Sequence, residues 1–419
     1  MKLVMDNYRI NALHSYLIYP LLAFPLWKEN ITMVFFVVFT VFNIRSFIIT
    51  KKIIGIHKVD GRILFIPFLI VLFSSLFRNE ITENKEALNH SGLFIAIPLS
   101  FFMAPENLFC KEKINRYLNF LLYASLVLIV AYLFLFFINN PVNDFFGTKY
   151  NSSLFRDFVY EKTLIFTIHP AYFSSVLFLG MAFCVEKIKH TFSSKYLSFI
   201  IVFYVFTFLL LSKLNIVLMH ILLLYALYST QSITKKIKLI SGFVFAIFTA
   251  IFFLFTPGMT KRIEEIYKSF NTVPSGLAFD STNIRRAIYT CDFELIQDQY
   301  LSGIGYSNIV NDLYNCFQTK YDSSFFEGAN YMSHNYFIYT LLGSGVLGLI
   351  ALLFFLLKTH SFLFRFQSLT FRAFALNTLA MCLIEDYFYR QNGAFFFLLW
   401  YLILLRFGIK NNKIENPIQ

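Results

Sequence analysis

Residues 196–229 read YLSFIIVFYVFTFLLLSKLNIVLMHILLLYALYS. A stretch this apolar is either one very long helix or two helices that turn back on each other. Leu-Leu-Ser-Lys-Leu-Asn at 210–215 interrupts the apolar character at its middle, where a tight hairpin would turn, so the reading is two spans, 196–212 and 214–229. In hydrocarbon every backbone N–H and C=O must be satisfied within the protein, which leaves a helix bundle or a closed barrel. Unbroken apolar runs of this length fit helices rather than alternating strands.

The same pattern continues on both sides of this stretch. Apolar spans fall at 10–27, 31–50, 62–77, 91–105, 117–138 and 167–185 before it, and at 238–256, 334–357, 370–385 and 393–409 after it. Of 419 residues 57% are apolar and 14% charged, with 56 Phe and a mean hydropathy of +0.61. A water-soluble domain of this length has no use for so many apolar side chains. The expected fold is an all-α integral membrane protein of about twelve transmembrane helices. Nine helices occupy 1–255, a cap loop 256–333, three more helices 334–409, and a tail 410–419.

Cytoplasmic loops retain Lys and Arg, so alternate loops test the orientation. With both termini inside, the inner loops hold 22 of the 36 basic residues and 6 of the 24 acidic ones. The outer loops then carry a net negative charge. The overall charge of +12 therefore reads as topology and argues against nucleic-acid binding. The first apolar stretch lacks a small-residue cleavage pattern and reads as a retained helix, not a signal peptide. Neither an internal repeat nor the symmetric halves of many transporters is evident.

Outer loops differ greatly in length, and the longest, Thr256 to Ser333, is where function is expected to concentrate. Within it Thr260–Phe270 is amphipathic, Asn283–Gln299 reads as a helix, and Tyr300–Ser307 is a Gly-containing turn. Five cysteines are scattered: Cys110 on the inner side, Cys184 and Cys382 in spans, Cys291 and Cys316 in the long loop. Cys291 and Cys316 could pair if that loop lies in an oxidising compartment. No metal-ligand spacing, Walker-type loop or Asp-x-Asp pair is evident in the outer loops, which disfavours metal and nucleotide dependence.

Six places on the outer side carry candidate chemistry. His169-Pro170-Ala171-Tyr172 opens a helix, either as a plain helix start with Pro in the first turn or as the rim of a polar cavity. Lys213, in the hairpin just described, either snorkels to headgroups or meets a phosphate. Asn283-Ile284-Arg285-Arg286 places two guanidinium groups about 100° apart around a helix, so one of them can face inward. Ser333-His334-Asn335-Tyr336 stands where the long loop re-enters the membrane, and an imidazole there can act as proton acceptor. Glu385-Asp386 and Arg390-Gln391 bracket the last outward turn, and a salt bridge from Glu385 or Asp386 to Arg390 is the plain expectation. Together these put basic and imidazole groups on one side of the membrane, as an anionic diphosphate-bearing lipid would require.

These residues, in this order, resemble the O-antigen ligase and polymerase family. The resemblance rests on His169-Pro170-Ala171-Tyr172-Phe173-Ser174, Leu210-Leu211-Ser212-Lys213, Asn283-Ile284-Arg285 ahead of Tyr289, Ser302-Gly303-Ile304-Gly305, His334-Asn335-Tyr336 with Gly345-Val346-Leu347-Gly348-Leu349, and Glu385 with Arg390-Gln391-Asn392-Gly393. It covers about 165 to 400; the amino-terminal third is similar only in being hydrophobic. The resemblance implies a bacterial inner-membrane enzyme that moves a glycan from undecaprenyl diphosphate to an acceptor hydroxyl on the periplasmic side. The acceptor would be lipid A core in a ligase, or another repeat unit in a polymerase. It also implies catalysis without a metal or other cofactor, with inversion at the sugar. His334 and Arg285 would be the catalytic residues. Lys213, Arg285, Arg286 and Arg390 would bind the donor diphosphate, supported by His169, Tyr172, Asn335 and Glu385. Many relatives carry Ser-Arg where this chain has Ser212-Lys213, and Lys supplies charge without a bidentate fork. A lipid-linked sugar transporter is the alternative from another class, but it calls for charges buried along a path, whereas here they cluster at the outer rim.

Overall fold

The structure is a computed structural model that describes residues 14–54, 59–149, 152–161, 168–229, 234–275, 279–321, 323–328 and 330–411. Parts of the expected spans that begin at 10 and 167, and most of the tail at 410–419, lie outside the described residues. Long helices are α1 (Glu29–Thr50), α2 (Ile66–Arg78), α3 (Leu93–Met103), α4 (Lys111–Asn139), α5 (Leu154–Glu161), α6 (Pro170–His190), α7 (Ser194–Leu209), α8 (Lys213–Ser229), α9 (Lys235–Phe255), α10 (Met259–Lys268), α11 (Ser281–Gln299), α12 (Ile309–Lys320), α13 (Tyr336–Arg365), α14 (Leu369–Ile384) and α15 (Gln391–Asn411). Among the described residues, seven helices are long and apolar enough to cross a membrane, and α7, α8 and α14 are shorter apolar helices.

The hairpin expected at 210–215 is present, with Leu211 at a φ of 50° between α7 and α8. The expected first span differs. In its described part helical residues 14–16 are followed by a short helix, Ile18–Leu22, and a 3-10 turn at Phe24–Leu26. Pro20 and Pro25 fall in this stretch, and Pro removes a backbone donor. The expected span 91–105 forms the eleven-residue α3, continuing a separate short helix, Lys85–Ser91.

Two helices form the interior. In α6 every residue from Tyr172 to Glu186 is buried, and in α15 burial is continuous from Ala394 to Phe407. By contrast, α9 has no buried residue; one face rests on α7 and α8, with Phe252 against Phe208 and Thr249 hydrogen-bonded to Tyr204, and the apolar remainder faces outward. Polar side chains stitch the interior: Asn377 Nδ2 donates to Asn215 Oδ1 at 2.7 Å, and Asn215 Nδ2 to Ala171 O at 3.2 Å, joining α14, α8 and α6. At the other end of α6, Glu186 Oε2 accepts from Ser368 Oγ at 2.8 Å and from Thr370 N at 2.9 Å, capping α14.

Helix α13 is broken at Gly345, whose φ is 67°. The turn after α11 inserts there and takes up the freed backbone groups. Val346 N donates to Tyr300 O at 3.0 Å, and Ile304 N donates to Leu342 O at 2.6 Å. From α2, Ser74 Oγ donates to Gly343 O and Arg78 Nη1 to Gly303 O, each at 2.7 Å. Only glycine suits the break, since a Cβ at 345 would lie 2.0 Å from Leu301 O. The long loop is therefore fastened into the bundle at 300–304, and its helices α10, α11 and α12 are held over one end of it.

Candidate active site

A cavity of about 630 Å³ opens at that end, where α6, α8 and α15 begin, α7 and α14 end, and α10 and α11 cover the bundle. Five basic side chains line it: Arg156, Lys213, Arg262, Arg285 and Arg390. His169, His334, Glu29 and Glu385 line it as well. The first turns of α6, α8, α11 and α15 all contribute, so four helix N-termini add partial positive charge to the same space.

Each side chain arrives for a local reason. Pro170 occupies the first position of α6, and His169 caps it, its Nδ1 accepting from Ala171 N at 3.2 Å. Both readings of this motif hold together, because the capping His also lines the cavity. Burial pulls the His169 pKa down to about 4, so the ring is neutral near pH 7 and the capping nitrogen is free to accept. Tyr172, one turn on, is buried and stacked on Tyr387 with centroids 5.7 Å apart. Asp280 and Asn283 form a capping box at the start of α11, which sets Arg285 in its first turns.

Two ion clusters contribute to the cavity wall. In one, the buried Glu265 accepts from Lys213 Nζ at 2.7 Å, from Arg262 Nη1 at 3.1 Å and from Ser281 Oγ at 3.2 Å. In the other, Glu385 stands 3.2 Å from Arg285 Nη2 and 3.7 Å from His334 Nδ1. Burial would raise the Glu385 pKa, but His334, His169 and Arg285 outweigh it and hold the carboxylate at about 2. For Asp386, burial prevails over His334 and raises the pKa to about 6. Adjacent carboxyls are thus driven apart in acidity, a pattern found where acid and base roles are divided.

His334 has a φ of 47°, an uncommon conformation for a residue with a side chain. Its backbone is held from both sides: His334 N donates to Asp386 Oδ2 at 3.2 Å, and its carbonyl accepts from Tyr289 OH at 3.4 Å. The preceding Ser333 donates to the buried Asp292 at 3.1 Å. Burial raises the Asp292 pKa to about 8.

Not every expected residue reaches the cavity. Arg286 points away from it, exposed, with its guanidinium 5.5 Å from the centre of the Phe270 ring. It is the outward member of the Arg pair. Asn335 caps α13, its Oδ1 accepting from Phe337 N at 3.0 Å and Ile338 N at 3.2 Å, so its part is to fix the turn that carries His334. Arg390 lines the rim and is exposed, while the expected ion pair to Glu385 forms with Arg285 instead.

Arg156, Arg262, Glu265, Glu29, Tyr160 and Tyr331 escaped the sequence reading. Arg262 and Glu265 are an i,i+3 pair on an amphipathic helix, a signal equally suited to a solvated face. Arg156 sits on the short helix α5, where it donates to Leu210 O at 3.1 Å. Burial and the neighbouring Arg262 pull the Arg156 pKa down to about 10. Cys291 and Cys316 form a disulfide that ties α11 to α12, with Cα atoms 5.9 Å apart. With Glu294 these sulfurs are close enough to hold an ion, but the disulfide occupies both.

Such a cavity is suited to an anion with more than one charged group. Residues 196–353 match a family model described as O-Antigen ligase, whereas no curated protein matches the chain. The matched segment contributes Lys213, Arg262, Arg285 and His334, while Arg156, His169, Glu385 and Arg390 lie outside it.

Proposed function

We propose that this protein, which belongs to the O-antigen ligase family through its segment 196–353, is a ligase that transfers a glycan from undecaprenyl diphosphate to lipid A core on the periplasmic side of the bacterial inner membrane. Family membership by itself gives a membrane enzyme of O-antigen ligase or polymerase type, acting on lipid-linked glycan. The observation that supports a diphosphate-bearing donor is the convergence of five basic side chains and four helix N-termini on one cavity. A diphosphate gains negative charge as its bond to the sugar breaks, and fixed cations around it lower that barrier.

In this mechanism Arg285 and Lys213 hold the diphosphate, with Arg390 at the rim. His334 takes the proton of the acceptor hydroxyl as its oxygen attacks the anomeric carbon. The carbon–oxygen bond to the diphosphate breaks on the opposite face, which inverts the sugar, and the lipid diphosphate departs with the electron pair. Glu385 supports both partners, orienting Arg285 and stabilising the imidazolium of His334. The left-handed turn at 334, fixed by Asp386 and Tyr289, keeps the ring in place.

A deletion strain complemented with variants tests this reading. Loss of the gene should remove long glycan from lipid A core and leave it accumulated on the lipid carrier. The wild-type gene should restore the ladder, whereas Arg285→Ala and His334→Ala, present at normal membrane levels, should not. Single repeats attached to the core would make the protein a polymerase with the same donor. Near-normal profiles from both variants would remove the proposed site.

A further inference from the structure

Two tyrosines at the cavity have no role in holding a diphosphate. Tyr160 comes from α5 and is 55% exposed; Tyr331 comes from the long loop, just before His334, and is half-buried. Each is rooted on one of the cavity histidines. The Tyr160 ring meets His169 edge-on with centroids 5.2 Å apart, and Tyr331 lies 6.3 Å from His334. Phe325 stacks behind Tyr331 at 6.0 Å and 21°, and Phe317 meets it edge-on at 6.4 Å, so the ring is backed by the packing of the cap. Their phenols lie near enough that the Tyr160 hydroxyl, after burial, contributes to raising the Tyr331 pKa. Neither hydroxyl makes a hydrogen bond to any other described residue.

Those features suit a ligand with apolar faces and a polar rim. A pyranose ring presents C–H groups on its faces and hydroxyls at its edge, and Tyr offers a ring for the one and an O–H for the other. We propose that Tyr160 and Tyr331 form a two-sided aromatic grip on the sugar ring joined directly to the donor diphosphate. This inference rests on the diphosphate reading above, because the cationic lining is what sets the phosphate end and leaves the tyrosines to meet the sugar. The grip draws one residue from each of two separate outer segments, so it closes only when α5 and the cap are both in place.

The test uses full-length protein in lipid nanodiscs and two probes, polyprenyl diphosphate bearing a glycan and polyprenyl diphosphate without sugar. Tyr160→Ala and Tyr331→Ala should each weaken binding of the glycan-bearing probe by about tenfold, leaving the sugar-free probe unchanged. Tyr160→Phe and Tyr331→Phe should retain most of the affinity, since stacking survives. Equal loss for both probes, no loss for either, or Phe variants as weak as the Ala variants would overturn the grip. Arg285→Ala should weaken both probes; if it weakens neither, the diphosphate reading itself fails, whatever the tyrosines do.

Discussion

Glu385 stands against two cavity groups at once, the Arg285 guanidinium and the His334 imidazole. For Asp386 and Asp292 burial dominates, and their pKa values rise to about 6 and about 8. For Asp292 the linkage has a definite sign. Below the ordinary carboxyl pKa both folded and unfolded forms are protonated, and no penalty exists. As the pH rises toward 8 the unfolded chain ionises first, so stability falls over that window and levels off above it. Asp292→Asn should therefore flatten the decline in melting temperature between pH 5 and pH 8.5, keeping the bond from Ser333 through its amide oxygen. An unchanged slope would show that Asp292 is not the titrating group. At this scale the sequence was informative where a polar motif interrupts an apolar run, as at His169, Lys213, Arg285 and His334. It was uninformative for Arg156, since a single Arg on a short helix carries no periodic signal. It could not choose between Arg285 and Arg286 either, because the phase of α11 is set by what α11 packs on.

Among the elements, α13 shows how a local break is made useful. Its interruption at Gly345 exposes backbone groups that would be costly in lipid, and the turn at 300–304 satisfies them. Gly345→Ala would force a methyl group against Leu301 O in a conformation alanine avoids. The expected loss is more than about 2 kcal/mol, read as a lowered melting temperature in detergent. Gly408→Ala is the control, as its nearest neighbour to an added Cβ is Phe362 at an ordinary 3.6 Å. Equal effects at the two positions would dismiss the account of the break. The apolar runs announced most of the long helices, but not this kink, which depends on the turn at 300–304, far earlier in the chain. Nor did they show that the stretch before Trp27 is broken, because apolar content measures affinity for lipid and says little about where Pro ends a helix.

For the molecule as a whole, the direction of insertion follows from charge. If the cytoplasm holds the Lys- and Arg-rich loops, a reporter active only outside the cytoplasm should be silent when fused after Ser229 and active when fused after Thr272. The reverse result would turn the protein over and move the cavity to the other face. The cavity also crosses every boundary that the sequence suggests. Its walls include Glu29 near one end of the chain and Asn392 near the other, along with residues from the short helix α5 and from the long cap. Segment 196–353, the part that matches the family model, is thus not by itself a unit of chemistry. Transplanted into a foreign bundle, it would bring Lys213, Arg262, Arg285 and His334 but leave Glu385 behind, and a guanidinium and an imidazole would then face each other with no counter-ion between them.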